Sequence, residues 1–468
     1  MADELASNSR TSKSAFSCTI LCNFLSAIHM KKQVLPDLLL LMRSMSKAEK
    51  RAFRLFSSRY KTADASPKSY LKLYNQLLKH SDDEALPQAK NADQEYLLAL
   101  LMDSLLQQRN HTPEIELRDQ LSVVTVLHRR GLEKKALRLL DKLLHQSWES
   151  GSYELGLEVV GFHTQLLTSV EHIGEVKRLT IERKKLLQSL SLFQEYDELM
   201  LQLFDLLQAN DMNAIRNFLQ LPLLKSTPPD VRTKVHRHHI FAHAGIGLHD
   251  FKLTEKHHDA IQLLFEQHPA FLRLRTLPYI MIVLNSGILA YHARKTERLK
   301  EAIDRLQQLP RMVGPLQLFD KNRIVRYALD LELRYHLLTH RPENGMLLAG
   351  KIKQVLLHDQ QIESHRANYL RYFLALTFYR SHRIKEALQW LQPIIDDRKQ
   401  GYYNLKTYSL AFLLRAACHY KKGNDATGES LLLAFHRNKF FASTRVQEQF
   451  KNLVREIPKG YEGDDWLL

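Results

Sequence analysis

The chain has 468 residues, 44% of them hydrophobic and 25% charged, which is enough apolar material for a large core and excludes a largely disordered protein. Its 16 glycines and 14 prolines, about 3% each, fall well below the usual shares of roughly 7% and 5%, as expected for long helices joined by short turns. Cys18, Cys22 and Cys418 are too few for a disulfide framework, and the first two lack the C-x-x-C spacing of redox or zinc sites, so we expect reduced thiols.

The net charge of +16 is concentrated in the C-terminal half of the chain. Residues 251–450 carry 31 basic and 18 acidic side chains, a net charge of +13, whereas residues 1–250 carry +4 and the last eighteen carry −1. Such a field attracts acidic partners, either phosphates or segments rich in Asp and Glu, and raises encounter rates without selecting between them.

The first 29 residues do not have the pattern of a folded module. The segment AFSCTILCNFLSAI, residues 15–28, resembles the apolar part of a secretory signal, but Asp3 and Glu4 precede it and Asn23 interrupts it. No small-x-small cleavage site follows. We therefore expect residues 1–29 to be a disordered leader or an over-extended start.

Residues 30–112 are predicted to form an N-terminal helical module. Ser46 and Glu49 have the spacing of a capping box, in which the serine oxygen accepts from the N3 amide and the glutamate reaches back to the cap. A helix should therefore begin directly after Ser46. Ser66-Pro67 marks a second helix start in the same module.

Residues 113–458 show a repeating pattern of a long apolar helix, a tight polar turn and a second amphipathic helix. In VVTVLHRRGLEKKALRLLDKLL, Gly131 occupies the turn, and Ala136 follows where a small side chain lets two antiparallel helices approach closely. Comparable turns recur about every forty residues, at Gly131, His172, Asp211, Asp250, Lys295, Arg341, His382 and Gly423. One helix pair cannot cover its own apolar faces, so neighbours must stack. The pattern predicts an all-α fold, an α-solenoid of antiparallel helix pairs with a tetratricopeptide-like arrangement and a period of about 40 residues.

Two further segments have a distinct composition. TLPYIMIVLNSGILAYHA, residues 276–293, is the longest stretch without Asp, Glu, Lys or Arg, but its polar interruptions favour a buried helix over a membrane span. Residues 459–468 form an acidic tail, which we expect to be frayed or folded back on the basic repeats.

Several of these stretches resemble a family of uncharacterised bacterial tetratricopeptide-like proteins. The resemblance rests on SMSKAEKRAFRLFSSRY, on SPKSYLKLYNQLL and on the units around His382 and Gly423. It covers the N-terminal helices and the last two repeats. The resemblance implies a helical-repeat fold and no known enzymatic activity.

The segment HRHHIFAHAGIGLH, residues 236–249, contains five histidines. On a helical wheel, Val235, Ala242 and Ile246 share one apolar face, which we expect to be buried. His236, His239 and His243 form a stripe at the edge of this face, at spacings that could chelate a metal. Arg232 projects into the same stripe, and H-I-F-A-H lacks the glutamate of the H-E-x-x-H zinc motif. We favour a half-buried helix edge and predict no metal site.

The glycines of the same segment do not form a nucleotide loop. Gly245 and Gly247 end a helix, whereas a dinucleotide loop follows a strand and opens a helix. A helix C-terminus presents carbonyl groups, which repel phosphate. The sequence contains no phosphate loop, nucleophile elbow or paired-cysteine motif, so we predict neither catalytic nor cofactor-binding residues.

Four arginines are the candidate partner-binding residues. Arg326, Arg366, Arg371 and Arg415 fall on the first helix of their repeats, which in tetratricopeptide arrays usually lines the concave surface. Guanidinium groups there could bind carboxylates or phosphates through two parallel hydrogen bonds.

These features favour a cytoplasmic, non-enzymatic helical-repeat scaffold that binds a protein or peptide partner, acidic in character, on its concave surface. The alternative is a nucleic-acid-binding α-solenoid that uses the basic C-terminal half. The alternative is weaker because aromatic side chains are not evidently interleaved with the charges on one face.

Overall fold

The computed structural model of the chain describes residues 34–58, 69–80, 87–107, 113–167, 172–314, 316, 318–358, 362–396, 405–437 and 457. Within these ranges the regular elements are helices and there is no strand, which confirms the predicted all-α class. The predicted leader at 1–29, with Cys18 and Cys22, and the acidic tail at 459–468 lie outside the described residues. The chain divides into two compact units, residues 1–110 and 111–468.

The described residues of the first unit form four helices around one apolar cluster. These helices are α1 (Val34–Ser44), α2 (Lys47–Ser58), α3 (Ser69–Lys79) and α4 (Asn91–Gln107). Leu38, Phe53 and Leu97 are fully buried at its centre. The predicted capping box is confirmed at the start of α2, because the Ser46 amide donates to Glu49 Oε2 at 2.6 Å and the Glu49 amide donates to Ser46 Oγ at 3.2 Å.

The second unit contains the remaining helices. In chain order they are α5 (Pro113–Arg129), α6 (Glu133–Glu149), α7 (Tyr153–Leu166), α8 (Ile173–Ala209), α9 (Met212–Phe218), α10 (Pro222–Lys225), α11 (Val231–Gly247), α12 (Phe251–Gln267), α13 (Pro269–Leu274), α14 (Thr276–His292), α15 (Thr296–Val313), α16 (Leu318–Leu338), α17 (Pro342–Met346), α18 (Ala349–His358), α19 (Ser364–Arg380), α20 (Ile384–Asp396), α21 (Leu405–Lys421) and α22 (Asp425–Arg437).

Long helices of this unit pack against their neighbours in the chain. The pairs with the most extensive contacts are α11 with α12, α19 with α20, α14 with α15 and α21 with α22. Contacts also join helices of consecutive pairs, such as α14 with α16 and α19 with α21. Among the described residues of this unit, the apolar core forms three clusters: one from α5 to α8, one around α8, α9 and α11, and a third from α11 to α22.

The longest helix, α8, joins two of these clusters. It has 37 residues. Its first half contributes Leu179 and Leu186 to the α5–α8 cluster, and its second half contributes Tyr196 and Leu203 to the next one. All four side chains are fully buried.

Most of the helices that precede a predicted turn end on a residue in the left-handed region of backbone space. Seven of the eight predicted turn positions are, or directly follow, a residue with positive φ, namely Gly131, Asn210, His249, Arg294, His340, His382 and Gly423. The eighth, His172, directly precedes α8. At each of the seven, the amide after the left-handed residue bonds a carbonyl five residues back, as from Asp250 to Gly245 at 2.8 Å. This Schellman pattern satisfies carbonyls that the helix end leaves without partners, and reverses the chain in a few residues.

Helix α14 contains almost all of the uncharged stretch at 276–293. Tyr279, Ile280, Val283 and Leu284 of this helix are buried in the core, as expected for a buried helix. Among the helices of the described residues, none combines the length and the apolar content that crossing a bilayer would need.

Two glycine substitutions distinguish the strain of a left-handed backbone from the effect of helix propensity. Gly423 has φ +78° and Gly161 lies inside α7, and at both positions an added Cβ would meet no atom within 4 Å. We expect Gly423→Ala to lower the free energy of unfolding by about 1 kcal/mol, because an L side chain is disfavoured in the left-handed region. Gly161→Ala should raise it by about 0.5–1 kcal/mol, because alanine favours a helix interior. Urea unfolding followed by circular dichroism measures both; shifts in the same direction would contradict this account of the turns.

Candidate functional site

Four helices of the second unit enclose a cavity of about 150 Å³, which we call the arginine cavity. Helix α16 supplies Arg326, Tyr327, Asp330 and Arg334; α19 supplies Arg366, Tyr369, Leu370, Tyr372 and Phe373; α14 supplies Ile288 and His292; α21 supplies Leu410. The charged lining comes from α16 and α19, and the other two helices complete the wall.

The helical repeat of α16 places its charged residues on one face. Arg326, Asp330 and Arg334 are four residues apart, so successive turns bring them above one another. They are only 3%, 8% and 4% exposed, although charged residues are rarely buried unless they are paired. The face of α16 that lines the cavity therefore holds an unusual amount of buried charge.

Arg334 has partners in the protein. Its Nε lies 3.2 Å from Asp330 Oδ2, and its guanidinium carbon lies 3.9 Å from the centre of the Phe373 ring. A planar cation over a ring face is stabilised by the ring quadrupole, most strongly where water is excluded. The ion pair and the ring together hold Arg334 in place.

Arg326 and Arg366 approach the cavity from two helices and share a neighbour. Their guanidinium carbons lie 5.2 and 5.6 Å from the centre of the Tyr327 ring. Arg366 Nε is buried and lies 3.8 Å from Glu363 Oε2, which is too far for a hydrogen bond. Arg366 therefore keeps a buried N–H that a ligand oxygen could accept from.

Asp330 adds a hydrogen-bond acceptor to the cavity wall. Its Oδ2 contacts Arg334, while its Oδ1 is buried and has no hydrogen-bond partner. A buried acceptor without a donor costs roughly 1–3 kcal/mol. A ligand that carries an N–H or O–H beside its negative group would relieve this cost.

The electrostatic balance of the cavity is positive. Three guanidinium groups and one carboxylate line it, so the wall carries two positive charges in excess. Buried charge is costly unless it is paired, and arginine pairs best with carboxylate or phosphate oxygens. Burial also raises the pKa of Tyr372, so its phenol stays neutral and adds no negative charge. The geometry is suited to holding an anionic group.

Of the four arginines predicted from the sequence, two line the cavity. Arg326 and Arg366 are among the lining residues, whereas Arg371 donates to Asn368 Oδ1 at 2.9 Å and Arg415 lies half-buried on α21. Sequence reasoning missed Asp330 and Arg334. The sequence does contain a feature that indicates these two residues, namely three charged residues spaced four positions apart in RYALDLELR.

The histidine segment folds as α11, but this helix has a second buried face that the helical wheel did not predict. Ile240 and Ala244 are fully buried on the side opposite the predicted face, and Ile246, predicted to be buried, is 50% exposed. The reason is that α11 packs against α12 on one side and against α8 on the other. The stripe of His236, His239 and His243 lies between two packed faces.

The glycines of α11 serve close packing. The helix ends at Gly247, as predicted, and Leu248 caps it. A Cβ on Gly245 would lie 2.5 Å from Thr254 Oγ1, and one on Gly247 would lie 2.1 Å from Leu207 Cδ2. Glycine at these positions lets α12 and α8 approach the end of α11.

Neighbouring side chains account for most of the histidine contacts. His238 Nδ1 and His257 Nδ1 are 2.7 Å apart, and His257 stacks on Phe241 with ring centres 4.6 Å apart. His236 Nε2 lies 3.0 Å from Asp197 Oδ1. Within the part of the chain that the structure describes, ligand atoms of three possible metal-binding residues come within 4.8 Å of one another at Asp141, His163 and Glu175, not in this stripe.

Burial keeps these histidines neutral. Desolvation, followed by the charges of neighbouring histidines, lowers the pKa of His239 to about 3. Desolvation also lowers the pKa values of His238, His257 and His258 to about 4 each, from an ordinary value of 6.5. The fold therefore favours the uncharged form of these rings at neutral pH.

Comparison of the chain with protein-family models, with curated proteins and with solved structures gives no match. The function of the arginine cavity therefore has to be inferred from its own residues.

The buried histidines predict a loss of stability in acid. Their folded-state pKa values lie below 6.5, so the unfolded chain binds more protons between that pH and about 4. Their contribution is complete above pH 6.5 and falls as the pH drops towards 4. We expect the melting temperature of wild type to fall over this range, and that of His239→Leu to fall less.

The matched control is His249→Asn. His249 is exposed and left-handed, a conformation that asparagine also tolerates, so this variant should keep the wild-type pH profile. Thermal unfolding at about pH 7.5 and at half-unit steps down to about pH 5 gives the comparison. Parallel profiles for wild type and His239→Leu would show that His239 is not a source of the acid sensitivity.

Proposed function

We propose that the chain is a non-enzymatic helical-repeat scaffold that binds an acidic segment of a protein or peptide partner at the arginine cavity. The observation that carries this proposal is that buried Arg326 and Arg334 and partly buried Arg366 surround a space with one carboxylate. A partner carboxylate placed between Arg326 and Arg366 would offset the excess positive charge. A cytoplasmic location and the absence of catalysis stay predictions from the sequence.

The size of the cavity favours a single side chain as the anchor. A cavity of about 150 Å³ holds a molecule such as benzene, with roughly six heavy atoms. An Asp or Glu side chain and the adjoining backbone fit this volume, whereas a nucleotide exceeds it. The remainder of a partner segment would lie outside the cavity on the helices that enclose it.

The hydrogen-bonding chemistry favours a peptide over a phosphodiester. Asp330 Oδ1 needs a donor, and a peptide backbone supplies an N–H next to its acidic side chain. A phosphodiester linkage carries no hydrogen-bond donor, and the Asp330 carboxylate would repel it. The aromatic rings of Tyr369 and Phe373 add apolar surface for the methylene groups of the anchor.

The proposal includes the α-solenoid arrangement with its period near forty residues. It is supported by the left-handed turns at Asn210, His249, Arg294, His340 and His382 and by the contacts between consecutive helix pairs. In such an array the first helices of neighbouring repeats form one surface, so α16, α19 and α21 would present the cavity on the concave side.

Arg366→Gln tests the proposal against Arg371→Gln on the same helix. Both substitutions remove one positive charge, but Arg371 is bonded to Asn368 and does not line the cavity. Tagged full-length proteins are incubated with nuclease-treated host lysate, and retained proteins are quantified by mass spectrometry. We expect a partner retained by wild type and Arg371→Gln, and reduced about tenfold by Arg366→Gln, because the lost bond is charge-assisted. Equal retention by Arg366→Gln would contradict the proposal.

Salt dependence distinguishes the nucleic-acid alternative. A nucleic-acid-binding solenoid would bind random-sequence RNA or DNA with an affinity that falls steeply and linearly in the logarithm of salt concentration. We expect fluorescence anisotropy with a labelled random 20-mer to show weak binding that Arg366→Gln leaves unchanged. Tight binding with a steep salt slope, lost on nuclease treatment of the co-purified material, would favour the alternative.

A further inference from the structure

We propose that Asp141, His163 and Glu175 form a binding site for a divalent transition-metal ion, zinc by preference, that joins α6, α7 and α8. This site lies in the same unit as the arginine cavity but shares no residue with it, and it is independent of the proposed function. No metal site was predicted from the sequence. The residues weighed there as possible metal ligands were the histidine stripe of α11, which shares no residue with this cluster.

The three side chains converge from three consecutive helices. Asp141 comes from α6, His163 from α7 and Glu175 from the first turn of α8. One ligand atom of each lies within 4.8 Å of the other two. Two ligands of one zinc ion lie roughly 3.3 Å apart, given metal–ligand distances of about 2.0–2.2 Å. The gap closes with small rotations of Asp141 and Glu175, which are 54% and 36% exposed.

His163 provides a second observation that points to a ligand. Its side chain is only 2% exposed, and its Nδ1 is buried without a hydrogen-bond partner. The nearest acidic atom, Asp141 Oδ1, is 3.9 Å away, beyond hydrogen-bond distance. A buried ring nitrogen that faces two carboxylates and bonds to neither is suited to coordinate a metal ion.

Arg178 already supplies a positive charge at this position. Its Nη2 lies 2.9 Å from Asp141 Oδ1, and it also pairs with Glu175, one turn away on α8. A guanidinium group is only a donor of hydrogen bonds, and here it leaves Nδ1 of His163 without a partner. Arg178 is 45% exposed on a flexible stem, so its head group can move into solvent. We therefore treat Arg178 as a competitor that a metal ion must displace.

The three ligands favour zinc over Ca²⁺ and Mg²⁺. One imidazole and two carboxylates are nitrogen and oxygen ligands of the kind that zinc takes, and three protein ligands leave a fourth position for water. Two carboxylates balance the charge of a dication, whereas Arg178 balances only one. Ca²⁺ and Mg²⁺ prefer sites made entirely of oxygen, so the imidazole disfavours them.

Zinc titration of the full-length, EDTA-treated protein by calorimetry tests the site. We expect one zinc ion bound per chain by wild type. Asp141→Asn and Glu175→Gln should each weaken binding about tenfold or more, because each removes a charged ligand from an exposed position where folding is not at risk. Arg178→Gln should tighten binding, because it removes the competing cation.

The matched control is Glu149→Gln. His145 and Glu149 form an ordinary exposed pair on α6, 3.3 Å apart, that could hold zinc adventitiously. Glu149→Gln should leave the affinity unchanged, and zinc held by the α11 histidines would be unaffected by Asp141→Asn. The visible absorption of bound Co²⁺ should report a nitrogen and oxygen ligand set and disappear in Asp141→Asn.

Two results would overturn the proposal. One is zinc binding that persists unchanged in both Asp141→Asn and Glu175→Gln. The other is binding no tighter than roughly millimolar in both wild type and Arg178→Gln, since removal of the competitor would then expose no affinity.

Discussion

The left-handed residue that ends most of the long helices is the constraint on which the second unit depends. At Asn210, His249, Arg294, His340 and His382 the backbone adopts positive φ without glycine, and the amide that follows bonds a carbonyl of the last helical turn. The side chains at these positions are tolerated because the bond and the packing of the next helix outweigh the local strain. The helices that line the arginine cavity, α14, α16, α19 and α21, each end at such a turn, and the turn fixes where the helix that follows starts.

The arginine cavity shows how an all-helical core can carry charge. Burial of Arg326 and Arg334 would destabilise the core if their heads met only apolar groups. Asp330 and Phe373 partly satisfy Arg334, while the heads of Arg326 and Arg366 remain directed toward the cavity. The residues that line the cavity therefore include three arginines and one aspartate. The Asp141, His163 and Glu175 cluster has the opposite balance, because one guanidinium group, that of Arg178, pairs with two carboxylates.

Much of the fold was predictable from local sequence signals, whereas the site was predictable only in part. Helix ends follow from capping residues and turn chemistry, which are encoded within a few positions, so the capping box at Ser46 and the turns near Asp250 and His382 were found. Arg326 and Arg366 were found because the sequence pattern placed them on apolar helices, and both line the cavity. Their meeting with Arg334 depends on how α16 and α19 pack, which no local pattern encodes. For the same reason a helical wheel misjudged α11, since one wheel cannot show that a helix is covered from two sides.

Helix α8 acts as a rod of about 55 Å, given a rise of 1.5 Å per residue over its 37 residues. One end is set in the cluster that contains Leu179 and Leu186, and the other in the cluster that contains Tyr196 and Leu203. Because α8 is packed at both ends, a tilt of the helix in one cluster displaces its residues in the other. Helix α8 therefore couples the two clusters mechanically. Because α11 packs against α8, such a displacement of α8 would also reach α11.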